Sequence, residues 1–293
     1  MIDETPKSTL LKQKRGMQLK KIRKINKKII DELLSLRESR GAIEDFSMSF
    51  LLNFAENCRL MHSLISTKDK KIDIYKTAYR QYFVFLISCW ETYFRDVFVF
   101  VHSVDESRIT TLLSKMRTET SININTEINL SELLSKSFNF QNLNDLEEAY
   151  NGMWGESFLN YICTTNISPC GLSGQISQDL SIENIFPDWR ALIEEAFYIR
   201  HKVVHDANFR PKVNIELISK VEALFLIIPQ FATHIISERF NLKKSSFQMV
   251  KITIPIFSIS VIYYLMIGLL VDDGIVSILT QKTKNLMKSA SGT

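Results

Sequence analysis

Residues 69–103 constrain the fold more than any other stretch. They include Tyr79–Val101, YRQYFVFLISCWETYFRDVFVFV, which is apolar on nearly every face. Arg80, Glu91, Arg95 and Asp96 interrupt it, so it cannot cross a bilayer. A helix this apolar, yet charged, must be enclosed by other elements in a protein core. The enclosing elements are helices too. The chain of 293 residues contains only 9 Gly and 6 Pro, too few for the many tight turns of a β-protein, and few period-two segments occur. The fold class expected is all-α.

Other segments carry the helical period. Ile22, Ile25, Ile29, Leu33 and Leu36 place an amphipathic helix over 10–40, with Gly41 as its stop. Phe46, Phe50, Leu51, Phe54, Cys58 and Met61 mark a helix over about 44–66. After the core helix, residues 104–185 turn rich in Ser, Asn and Thr, with Gly-containing turns at Gly152–Gly155 and Gly171–Gly174 and helical pieces expected at 107–117, 130–137 and 143–162. This stretch reads as an insertion between core helices. Residues 186–211 resume the pattern, with Asp188 placed to cap and Pro211 to terminate. A helix over 213–240 follows, with a kink expected at Pro229. Three regions result: a basic N-terminal helix (1–43), a helical bundle (44–242) and a hydrophobic C-terminal segment with a basic tail (243–293).

Charge follows the same division. Residues 1–30 carry ten basic side chains against Asp3 and Glu4, a net +8. Residues 243–293 carry +4 and residues 31–242 carry −8. An acidic body between basic ends points to an anionic partner for the ends, nucleic acid or membrane. Lys20, Lys21, Arg23, Lys24, Lys27 and Lys28 are the candidate RNA or lipid contacts. The plainer reading is a solvated helix face.

Ile252–Val271 contains no charged residue and is long enough to span a bilayer as a helix. Lys243, Lys244 and Lys251 precede it, and Asp272 and Asp273 follow it, which would leave the N-terminal part on the cytoplasmic side. The alternation of Ile252, Ile254 and Ile256, together with Pro255, instead suits a buried strand followed by a helix. Both readings stand at this point. No apolar run follows the basic N-terminal residues, and Cys58, Cys89, Cys163 and Cys170 show no paired spacing. A cytoplasmic protein with free thiols is expected, anchored at the inner membrane face if 252–271 spans.

Chemistry concentrates at Arg200–His201–Lys202 and His205–Asp206. His201 and His205 share a helix face. An i, i+4 pair could bind zinc, but no Glu lies between them as in HExxH and no third ligand is evident, so no metal or cofactor is expected. Arg and His together suit RNA cleavage by the 2′-hydroxyl. Histidine moves protons near neutral pH, and the guanidinium holds charge on a pentacoordinate phosphate.

The string IRHKVVHDA, residues 199–207, resembles the R-x4-6-H motif of the HEPN superfamily, with Arg200 and His205 as the pair. His201 fits the polar position that follows the Arg. The string ISCWETYFRDVF, residues 87–98, is similar to the core helix preceding the motif helix in bacterial defence-associated members. The resemblance covers roughly residues 45–240. It implies a helical bundle that forms a homodimer, with two motif copies facing one another across a composite cleft. It also implies a metal-independent endoribonuclease of toxin or anti-phage type, with an antitoxin or defence protein as partner. Some members bind without cleaving. A non-catalytic, membrane-anchored interaction protein is the alternative.

On this reading His201 and Lys202 support RNA binding. Glu91 would orient Arg200 or His205, its plainer role being an ion pair with Arg95. Asp206 would assist at the site or merely end the helix in solvent. Trp90, Trp154 and Trp189 are expected as core anchors.

Overall fold

The computed structural model describes residues 35, 41–66, 72–104, 130–155, 157–165, 181–211, 215–242, 252–256 and 276–280. The helices expected over 10–40 and 107–117, and the contacts proposed for Lys20 to Lys28, lie outside these residues, Ser35 apart. The fold is all-α. In chain order the helices are α1 (Ile43–Ser66), α2 (Ile72–Val104), α3 (Leu130–Ser135), α4 (Leu143–Trp154), α5 (Phe158–Thr164), α6 (Ile182–Ile185), α7 (Trp189–His205) and α8 (Ile215–Arg239).

Helix α8 is the axis of the bundle. Every residue from Val221 to Thr233 is buried, as α1, α2, α5 and α7 pack around it. Among the described residues α8 alone, over Glu216–Arg239, is long and apolar enough to cross a membrane, and 83% of its most apolar window is buried inside the protein. Enclosure by other helices accounts for its apolar surface on all sides.

Helix α2 supplies the aromatic centre. The Trp90 ring lies 4.6 Å from Phe94, 4.7 Å from Phe225 of α8 and 6.1 Å from Phe197 of α7. This one side chain therefore locks three helices together. Trp90, Trp154 and Trp189 are all buried, as expected of core anchors.

Polar groups on the buried seams are tied across helices. The Tyr93 hydroxyl donates to the Pro229 carbonyl at 2.7 Å and lies 2.6 Å from the Thr233 hydroxyl. Pro229 lies inside α8, whose helical assignment runs through it without interruption; proline costs a helix one backbone hydrogen bond. The Ser47 hydroxyl donates to Gln230 at 2.8 Å. Tyr82 donates to the buried Glu222 carboxylate, and Cys58 lies 3.2 Å from the Tyr82 hydroxyl. Burial, reinforced by the neighbouring charged groups, pushes both the Cys58 thiol and the Tyr82 phenol well above their ordinary values.

The polar stretch 104–185 adds to this same core. Tyr150 of α4 stacks on Phe158 of α5 at 4.2 Å, and its hydroxyl donates to the Phe94 carbonyl at 2.6 Å. The helix expected over 143–162 is two helices. Gly155 adopts a φ of 89°, and its N–H closes α4 on the Asn151 carbonyl at 3.0 Å. Glycine takes that left-handed conformation without the steric cost of a side chain.

At the C-terminus, Ile252–Ile256 forms a strand, β1, paired in parallel with β2, Val276–Thr280. Strand β1 lies beside α1. The membrane helix proposed for 252–271 therefore does not begin at Ile252. The β-branched alternation at its start is extended, and residues 257–271 lie outside the described residues.

Candidate functional site

Helix α7 carries the candidate residues. One side is buried through Trp189, Ile193, Ala196 and Val203 against α2 and α8. Asp188 occupies the cap position expected of it, without a side-chain cap bond, and α7 begins at Trp189. The helix stays regular to His205, and the Asp206 N–H closes its last turn on the Lys202 carbonyl at 2.8 Å.

That regularity fixes the geometry of the motif. At about 100° per residue, Arg200 and His205 point about 140° apart on the same helix. Fraying before Pro211 does not bring them together. Arg200 is half-buried at the edge of the packed side, with its Nε buried. Among the described residues it makes no hydrogen bond or ion pair. An unmatched buried guanidinium N–H is costly unless a ligand or a second chain supplies an acceptor.

The outward face is different. Tyr198, His201, Lys202 and His205 fall within an arc of about 100°. The His201 and His205 rings lie 4.7 Å apart, and both residues are exposed. The Lys202 ammonium sits 5.7 Å from the centre of the Tyr198 ring, which is 55% exposed. Tyr198 is the member of this group that motif spacing missed. Its signal was the i, i+3, i+4, i+7 relation to His201, Lys202 and His205. Exposed Glu194 and Glu195 lie one turn earlier and confine any anionic ligand to the last two turns.

Beyond the helix the chain folds back over this face. The Asp206 carboxylate accepts the Asn208 N–H at 2.9 Å, and its carbonyl accepts the Phe209 N–H at 3.1 Å. The turn sets the Phe209 ring edge-on to Tyr198 at 6.2 Å. Asp206 thus has a local structural task, one that Asp side chains perform in many turns.

Glu91 does not orient Arg200 or His205. Its carboxylate pairs with Arg95 and accepts a hydrogen bond from Gln141, and Arg95 stacks over Phe140 at 5.8 Å. The plainer expectation for Glu91 is the one found, since a half-buried carboxylate needs a close cation.

No three His, Cys, Asp or Glu side chains are grouped as a metal would require among the described residues. Cys58, Cys89 and Cys163 are free thiols. Comparison of the chain with models of known protein families, with curated proteins and with solved structures returns no match in any of the three.

Proposed function

We propose that this protein is a metal-independent endoribonuclease of the HEPN type, acting as a toxin or in defence against phage. The observation that carries the reading is the outward face of Tyr198, His201, Lys202 and His205 beside an Arg200 that has no partner among the described residues. Each residue type has a task in RNA cleavage. Tyr198 offers a ring on which a base can stack. Lys202 contacts a phosphate. His205 takes the 2′-hydroxyl proton or protonates the leaving 5′-oxygen, with His201 assisting. Arg200 holds the charge of the pentacoordinate phosphate. Because Arg200 and His205 diverge on one helix, the reading requires a homodimer in which Arg200 of one copy serves His205 of the other.

The test uses purified protein and single-stranded RNA in EDTA. Cleavage that leaves 2′,3′-cyclic phosphate ends, and that falls by about 10²-fold or more in both Arg200→Ala and His205→Ala, is the expected result. Cleavage unchanged in those variants removes the assignment. The same divergence favours a second reading, a non-catalytic interaction protein in which these residues only bind. It predicts RNA retention without cleavage.

A further inference from the structure

Contacts at several levels hold α2, α7 and α8 in a fixed relation. Tyr82 meets Glu222 and Tyr93 meets Pro229, so α2 and α8 run parallel. Phe197 of α7 lies 6.1 Å from Trp90 and 6.0 Å from Phe225, and only nine residues separate His205 from Ile215. Helix α7 therefore folds back antiparallel to both. At about 1.5 Å per residue, His205 lies about 12 Å beyond Phe197 and Arg80 about 15 Å before Trp90, so the two stand at nearly the same level.

Direction agrees with level. Arg80 projects within about 20° of Glu91 on α2, and His201 within about 20° of Arg190 on α7. Arg190 lies 3.4 Å from Glu147 of α4, and Tyr150 of α4 bonds the Phe94 carbonyl. Gln141, just before α4, bonds Glu91. Helix α4 and the residues leading into it thus cover one end of a surface shared by α2 and α7. Arg80, His201 and His205 lie toward its other end, where Val204 is 48% exposed. Along this edge of α2, Arg95 is paired with Glu91. Arg80 is not. It is half-buried, its Nε is buried, and among the described residues it makes no hydrogen bond or ion pair. Glu91 lies about 16 Å along the helix, out of its reach. The Asp206 carboxylate, which follows His205, is bonded to the Asn208 N–H. A guanidinium in this position matches a phosphate in charge and in donor geometry.

We propose that Arg80 binds an RNA phosphate flanking the scissile one, on the same chain as the His205 that moves the proton. Side chains lean toward the start of their own helix, so Arg80 and His205 diverge along these antiparallel helices and reach neighbouring phosphates instead of one. The inference rests on the ribonuclease reading and deepens it, because the substrate must then extend past a single phosphate. The scissile phosphate is left to Arg200 of the other copy.

Two measurements on the full chain test this. In EDTA, cleavage of an RNA oligonucleotide is compared with cleavage of a dinucleoside monophosphate, which has no flanking phosphate. Arg80→Ala should raise KM for the oligonucleotide about tenfold with kcat unchanged, as one charged hydrogen bond is lost. Its unfolding temperature and its cleavage of the dinucleotide should match the unmodified chain. Binding of the oligonucleotide is then followed against salt in His205→Ala. Adding Arg80→Ala there should reduce the slope of log affinity against log salt by about 0.7, the share of one single-strand phosphate. Arg80→Lys should restore the slope. An equal loss on both substrates, a fall in kcat alone, or an unmoved salt slope would overturn the proposal. If the unmodified chain cleaves no RNA yet the slope falls, the ribonuclease reading fails while Arg80 stands as a phosphate contact. If the chain neither cleaves nor binds RNA, both fall.

Discussion

Two stretches of this molecule carry similar residue types under opposite conditions. Along the α2–α8 seam, polar side chains meet partners from distant parts of the chain. Tyr93 meets Pro229 and Thr233, and Tyr82 meets Glu222. On the last two turns of α7, Arg200 has no such partner among the described residues, and the exposed His201 and His205 rings lie 4.7 Å apart. Partnered polar groups at a seam are accounted for by stability. Ionisable groups left without partners at a helix end are where an external ligand can contribute. The comparison sets side chains whose bonds tie α2 to α8 against a group on α7 that our proposal assigns to RNA.

Its largest consequence is in stability. Trp90→Ala should cost about 3–5 kcal/mol, since it removes a ring that joins α2, α7 and α8. His205→Ala should change stability by no more than about 0.5 kcal/mol. Urea unfolding of the two variants checks both values. A comparable loss in each would erase the distinction between seam and helix end.

Next in size is Tyr93→Phe, expected to cost about 1 kcal/mol because the buried Pro229 carbonyl loses one of two donors, the Thr233 hydroxyl at 2.9 Å remaining. Thermal unfolding reads this directly. Cleavage of RNA by that variant should stay at the wild-type level below its unfolding temperature.

Buried thiols between α1 and α2 also predict a response to alkali. Burial pushes the Cys89 thiol up from 9.0 to about 11. The folded state thus favours the neutral thiol, and the unfolded chain releases its proton first. The stabilising contribution is complete below pH 9 and is lost as pH rises through 11. Cys58 and Tyr82, also raised by burial, add to the loss from their ordinary values of 9.0 and 10.0 upward. Urea midpoints should fall between pH 9 and 11, and less steeply in Cys89→Ala.

Smallest is Glu91→Gln. A partly exposed pair with Arg95 contributes about 1 kcal/mol or less. The variant should lose about that much stability and leave RNA cleavage unchanged. A selective loss of cleavage would return Glu91 to the functional site.

These contrasts also mark how far residue pattern alone can be followed. The periods that place α1, α2, α7 and α8 are local, so each helix was legible from its own residues. Trp90, Trp154 and Trp189 were legible as anchors because bulky rings in apolar stripes have few other places to go. The division at Gly155 was legible only in part: the glycines at 152 and 155 mark a turn, yet a glycine in a helical pattern has the same signature whether it caps or continues the helix. The partner of Glu91 was legible only in part. Arg95 lies one turn away, whereas Gln141 reaches it through tertiary packing. At Ile252–Ile256 a short β-branched alternation competed with a long apolar run, and over those five residues the alternation prevailed. The candidate site was legible as a motif, yet the outward arc that adds Tyr198 and turns Arg200 aside depends on α7 remaining helical through His205.

The central claim is that Arg200 and His205 act together across two copies of the chain. Mixing Arg200→Ala protein with His205→Ala protein, after dissociation and reassociation, tests it most directly. A mixed dimer retains one intact Arg200–His205 pair at the interface, so RNA cleavage should return well above the sum of the two separate variants. A mixture as inactive as either variant alone, formed from proteins shown to exchange chains, would contradict it.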